Sequence, residues 1–283
     1  MNETQMLSFS EAICEAGFAV PEGLGVFEAA ERLLPALGST DPTLRERRAY
    51  TILYRWIAGG LFDEEELAAL VARLCDASHL FHRIGEVDGD GVFLRAYSAL
   101  LLAPLVHVAT AQGSLGAADA ARLVDVLVRY LDEEQDLRGF VEKKEWAHAV
   151  AHAADACAEL AQVPTLDADA LRALVHAVGR KATTAAGVWI HEEDERLARA
   201  AAAAIGRDVL PVAAVRGFID GLLPERHWVL DGELPGNYFR YINTKHFFRS
   251  LWFRAQQDGL PAERVALLNE ALARLRDSLA RRE

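Results

Sequence analysis

The sequence predicts an all-α fold, an α-α superhelix of the HEAT or armadillo type with about five to six helix pairs. Three observations carry this expectation. Apolar residues recur at helical spacing almost throughout, and runs of alternating Val, Ile, Thr and Tyr that mark strands are missing. Gly- and Pro-containing breaks also divide the chain at nearly regular intervals.

Helices starting after these breaks fall near 43, 92, 143, 192 and 241, each followed by a second helix near 63, 117, 167, 208 and 261. Successive first helices are offset by 49, 51, 49 and 49 residues, slightly beyond the ~40–47 of HEAT and armadillo repeats. Asp63 before EEEL and Asp167 before ADAL are N-cap candidates, and the acidic HEEDE run opens the helix near Glu192. The first helices echo one another: RRAYTILYRWI (47–57), LRAYSALLLAPLV (94–106), WAHAVAHAADACAEL (146–160) and ERLARAAAAAI (195–205). No long Pro/Ser-rich linker interrupts the series, so a single helical-repeat domain over 1–283 is expected.

Composition excludes some functions. With 30 Lys+Arg against 42 Asp+Glu the net charge is −12, which opposes a chain whose main task is to coat nucleic acid. Three cysteines, Cys14, Cys75 and Cys157, lie far apart and suggest neither a disulfide framework nor a zinc module. The start MNETQMLSFSEAICEAGFAV lacks the basic, then apolar pattern of a secretory signal, so a cytoplasmic protein is expected. Ala96–Ala118 carries no formal charge, but its apolar part ends near Ala111, short of the ~20 residues a bilayer needs. A buried central helix, without a membrane partner, is the expectation there.

The densest polar cluster runs from Asp136 to Asp155. Read as one helix, it places Lys144, His152, Asp155 and Glu159 within about 40° of His148. Trp146, Val150, Ala153, Ala154, Cys157 and Leu160 then form a core stripe opposite. His at i and i+4 with Asp at i+7 matches the two histidines of HExxH, but Ala149, Val150 and Ala151 intervene where that motif needs its glutamate. The other reading makes these residues contacts between neighbouring repeats, with Asp155 fixing a tautomer. The expected ligand or partner surface comprises Arg138, Glu142, Lys143, Trp146, His148, His152 and Asp155; no metal ion or cofactor is assigned.

A second cluster, YFRYINTKHFFRSLWF (Tyr238–Phe253), holds seven of the 23 aromatic residues. No acid occurs between Asn237 and Gln257, whereas Arg240, Lys245, Arg249 and Arg254 add positive charge. Such a strip can grip anionic groups, and Tyr238, Arg240 and Tyr241 join the candidate surface. The competing reading buries Phe247, Phe248, Leu251 and Trp252, at i/i+4 spacing, as a core face. No GxSxG elbow or phosphate loop is present, GDGVFL (89–94) lacks the third glycine of a dinucleotide fingerprint, and DGDG (88–91) does not continue into a calcium loop.

RGFVEKKEWAHAVAHAAD (Arg138 to Asp155) resembles the signature of a bacterial family of uncharacterised all-helical proteins, a domain of unknown function with a HEAT-like superhelix. The resemblance extends through Phe81–Ala103, His191–Ala198 and Phe247–Arg254. It implies a fold and a bacterial origin, and it supplies no reaction or catalytic residue. The expected function is a scaffold holding a protein or peptide on its concave face. The alternative is a small-ligand or metal-dependent enzyme using His148, His152 and Asp155. No oligomeric state is assigned.

Overall fold

The computed structural model describes residues 1–223 and 234–280. Among them every regular element is helical except one pair of two-residue strands, so the all-α expectation holds. Two compact units divide the chain: residues 1–116 with 133–156, and residues 117–132 with the described residues from 157 onward.

In the first unit, α1 (Glu3–Glu15) starts in a capping box, where Asn2 and Gln5 side chains each accept the other's backbone N–H. Helix α2 (Val26–Leu33) runs into a 3-10 turn (Leu34–Gly38). A π-helix (Thr43–Tyr50) then passes directly into α3 (Thr51–Ala58). Asp63 caps α4 (Glu64–Leu74), as expected, by accepting from the Glu66 N–H. Helix α5 (Gly91–Gln112) is long and apolar enough to cross a membrane, but most of its apolar window is buried in protein. It packs against α3, α4 and the 3-10 turn. Its Phe93, Tyr97, Leu101 and Leu102 join Leu44, Ile52, Leu53 and Trp56 in the core. Each fully buried side chain of this kind contributes about 1.5–3 kcal/mol.

Helix α6 (Ala117–Glu133) belongs to the second unit except for its last residue; α7 (Ala149–Ala161) begins in the first unit and ends in the second. The second unit continues with α8 (Ala168–Ala182), α9 (Glu193–Ile205), α10 (Val212–Leu222), α11 (Gly236–Gln257) and α12 (Ala262–Ala280). Asp167 caps α8 through the Ala170 N–H. Alanines 200, 201, 202 and 204 are buried on α9, which packs on both α8 and α11. Arginines tie carbonyls at helix ends: Arg207 donates to Ala161 O and Val163 O, and Arg264 to Ile205 O and Leu210 O. Asn243, fully buried, donates to Thr184 O and Gly187 O and accepts from the Trp189 N–H.

The expected helix start at 143 is corrected by the structure. Residues 140–146 form an antiparallel hairpin, β1 (Phe140–Val141) with β2 (Glu145–Trp146), and the helix starts only at Ala149. Lys143, Glu145 and His148 have φ of 65°, 60° and 53°, a left-handed conformation that no right-handed helix accommodates. Lys144 therefore shares no helix face with His152, and His148 precedes the helix rather than lying on it. The expected two-faced α7 is corrected too. Residues 149–158 are all buried, so this part of the helix keeps no solvent-facing polar side. Trp146, assigned to the core stripe, is instead an exposed hairpin residue.

Candidate functional site

The site is built in the first unit around the π-helix. Helices of this type are rare and concentrate at functional positions. Asp41 starts it by accepting the Thr43 N–H, and the wider turn aims Arg45, Glu46, Arg47 and Tyr50 at α5 and the hairpin. Arg45 is fully buried, and its guanidinium carbon lies 4.2 Å over the Phe93 ring. Its Nη1 donates to Ser39 O (2.7 Å) and its Nη2 to Lys144 O (2.5 Å). The cation is thus stabilised by carbonyl dipoles and a ring face, and it pins the hairpin from behind. Arg47 pairs with Glu145 from the solvent side at 2.9 Å.

Two further arginines fix the segment that leads into the hairpin. Arg95 on α5 grips Glu134 through Nε (2.6 Å) and Nη2 (2.9 Å), and neither side chain reaches solvent. Its Nη1 also donates to His82 O and Arg83 O. Arg138 makes a forked pair with Asp136 (2.9 and 2.5 Å) and reaches Gly89 O at 2.8 Å. That pairing holds the Arg138 guanidinium protonated even more firmly than usual. Lys144 closes on Asp90 at 2.6 Å. A two-stranded hairpin alone is marginal in water, and here ion pairs on both sides hold it.

Rings from the hairpin continue into the core. Phe140 meets Trp146 edge-to-face at 5.1 Å, and the Trp146 indole stacks on His148 at 4.4 Å. His148 meets His152 at 5.8 Å, His152 meets Tyr97 at 5.4 Å, and Tyr97 meets Tyr50 at 5.9 Å. The Tyr97 hydroxyl donates to Glu46 Oε2 at 2.8 Å. Burial is the main reason its phenol resists ionisation well beyond the ordinary tyrosine range. His152 Nδ1 lies 3.2 Å from Ala96 O, so the Nδ1–H tautomer donates to that carbonyl.

The seven expected residues of this region divide by environment. Glu142 and Lys143 are exposed at the hairpin turn, Arg138 and His148 are half-buried, and His152 and Asp155 are buried. Phe140 and Trp146 remain 47% and 36% exposed, unusual for rings of their size. Tyr238, Arg240 and Tyr241 lie on α11 in the second unit; Tyr238 and Arg240 are exposed and Tyr241 is buried. Among the described residues, no three His, Cys, Asp or Glu side chains gather as a metal-binding group. Sequence reasoning missed Arg45, Glu46, Tyr50, Arg95, Tyr97 and Glu134. A usable signal existed for Arg95, a charge inside the apolar run LRAYSALLLAPLV.

Comparison with curated proteins and with solved structures finds no match. One family model does match, over residues 80–253, which take in α5, the hairpin, α7 and most of α11. That match spans more than half of the sequence, and the chain therefore belongs to the family described as protein of unknown function, DUF2785.

Proposed function

We propose that this chain is a binding module for a polypeptide partner, which docks on Phe140 and Trp146, with His148 stacked beneath the indole. The observation that carries this reading is the pair of large rings held partly in solvent on a hairpin braced by Arg45, Arg95 and Arg138. Aromatic anchors on a rigid support are the usual energetic centre of protein interfaces, since little side-chain entropy is lost on binding. Three non-glycine residues in left-handed conformation, each costing on the order of 1 kcal/mol, have an explanation if the surface they shape is used. A HEAT-like repeat presenting a concave face, a bacterial source and a cytoplasmic location belong to the same reading; the repeat is supported by the recurrence of second helices starting at Glu64, Ala117, Ala168, Val212 and Ala262. An enzyme built on His148, His152 and Asp155 has less support, because two of the three are buried and the His152 Nδ1–H is engaged by Ala96.

Selection from a displayed random-peptide library tests the proposal. The wild-type chain is expected to enrich a consensus that a Phe140→Ser/Trp146→Ser variant fails to enrich. Enrichment of the same peptides by both proteins, or of none by the wild type, refutes it.

A further inference from the structure

The α11 helix in the second unit carries a face on which, among the described residues, Tyr238, Arg249 and Phe253 are exposed while Ile242 and Lys245 are partly buried. Its buried side includes Tyr241, Asn243, Phe247, Phe248, Ser250 and Leu251. At 100° per residue the opposite side gathers Tyr238, Ile242, Lys245, Arg249 and Phe253 within an arc of about 80°. Tyr238 and Phe253 are 48% and 55% exposed, and Arg249 is exposed. Among the described residues no carboxylate lies within ion-pair distance of Lys245 or Arg249; the Lys245 ammonium has only the Tyr241 ring, at 5.2 Å. The strip runs about 22 Å from Tyr238 to Phe253 at 1.5 Å per residue.

Most surface arginines of the second unit are paired, as Arg180 is with Asp132 and Arg216 with Glu270. In a chain of net charge −12, two cations without carboxylates between exposed rings are a departure that needs a reason. We infer that this face of α11 docks an acidic, amphipathic helical segment of another protein. Apolar side chains of that segment cover Tyr238, Ile242 and Phe253, while its carboxylates meet Lys245 and Arg249. An extended polyanion fits less well. A nucleic acid or an anionic membrane reaches past the strip and meets the acidic remainder of the surface, whereas a short segment stays within it.

The inference concerns residues other than those of the hairpin, and its test separates the two. The probe is a fluorescein-labelled helical peptide about 16 residues long, matched to the strip by its rise, with Leu on one face and Glu beside it. Anisotropy titration is expected to show saturable binding. Lys245→Glu/Arg249→Glu weakens it roughly tenfold or more, equivalent to about 1.4 kcal/mol, and Lys245→Gln/Arg249→Gln weakens it less. Phe140→Ser/Trp146→Ser leaves it unchanged. Thermal melts of all variants matching the wild type confirm that folding is intact. Equal binding by the charge-reversed variant overturns the inference. So does equal binding of a peptide with Lys in place of Glu, or a preference for phosphatidylserine vesicles or single-stranded DNA over the acidic peptide.

Discussion

Arg95 and Glu134 face each other through two hydrogen bonds of 2.6 and 2.9 Å with no side-chain exposure on either partner. The pair joins the N-terminal end of one unit's longest helix, α5, to the segment that enters the hairpin. Glu134 also accepts the Asp136 N–H at 2.9 Å, so a single carboxylate orders the pair and the turn after it.

Replacing Glu134 by Gln leaves a buried guanidinium without its counter-charge, a change that typically costs about 3–5 kcal/mol. Urea denaturation of Glu134→Gln is expected to fall in that range. Replacing both partners by apolar residues of similar size, as in Arg95→Met/Glu134→Leu, is expected to recover most of the loss. A single variant within 1 kcal/mol of the wild type, roughly the value of an exposed pair, contradicts this account.

Two glycines on facing helices predict opposite signs. A Cβ on Gly179 of α8 would sit 2.6 Å from Phe218 Cε2 and 2.8 Å from Leu222 Cδ1 of α10, whereas one on Gly217 meets nothing within 4 Å. Gly217→Ala is expected to stabilise by about 0.5–1 kcal/mol through helix propensity alone. At Gly179 the same gain is outweighed by overpacking of about 1–3 kcal/mol, so Gly179→Ala destabilises. Calorimetric melting temperatures moving in the same direction for both variants overturn the argument.

Local chemistry was legible in the sequence, and long-range chemistry was not. Asp63 and Asp167 could be read as caps because each bonds an N–H three residues away. The i/i+4 aromatics of α11 could be read as core for the same reason, and Phe247, Phe248 and Leu251 are buried. The hairpin is different. Its position depends on Arg45 reaching Lys144 O, a contact 99 residues apart, and on the π-helix that aims Arg45 there. Without those contacts the alanines after Trp146 read as continuous helix, which puts His148 on a face that it does not share in the structure.

His176 gives the expected pH dependence. Burial lowers its pKa below the ordinary 6.5, with Arg180 and Arg172 adding to the shift. The unfolded chain therefore binds this proton before the folded one does, and stability rises with pH across the window just below 6.5. His176→Leu is expected to remove that part of the slope. Comparing wild type and variant by urea denaturation between about pH 5 and pH 6.5 isolates the residue from other titrating groups. Parallel stability curves in that window refute the assignment.

The two ends of the stacked rings predict different losses. His152 is 6% exposed, donates to Ala96 O and packs edge-on against Tyr97, so His152→Ala removes a buried hydrogen bond and opens a cavity. The expected cost is on the order of 2–4 kcal/mol. Trp146 rests on His148 and Phe140 while remaining 36% exposed, and its backbone is held by the hairpin ladder. Trp146→Ala is therefore expected to cost less than about 1 kcal/mol in stability, as surface changes usually do. Both are read from urea midpoints on the full chain. A large loss for Trp146→Ala makes the indole a structural strut and removes the reason for assigning it to a partner. A small loss, with His152→Ala strongly destabilised, is the outcome that the assignment of the exposed ring to recognition requires.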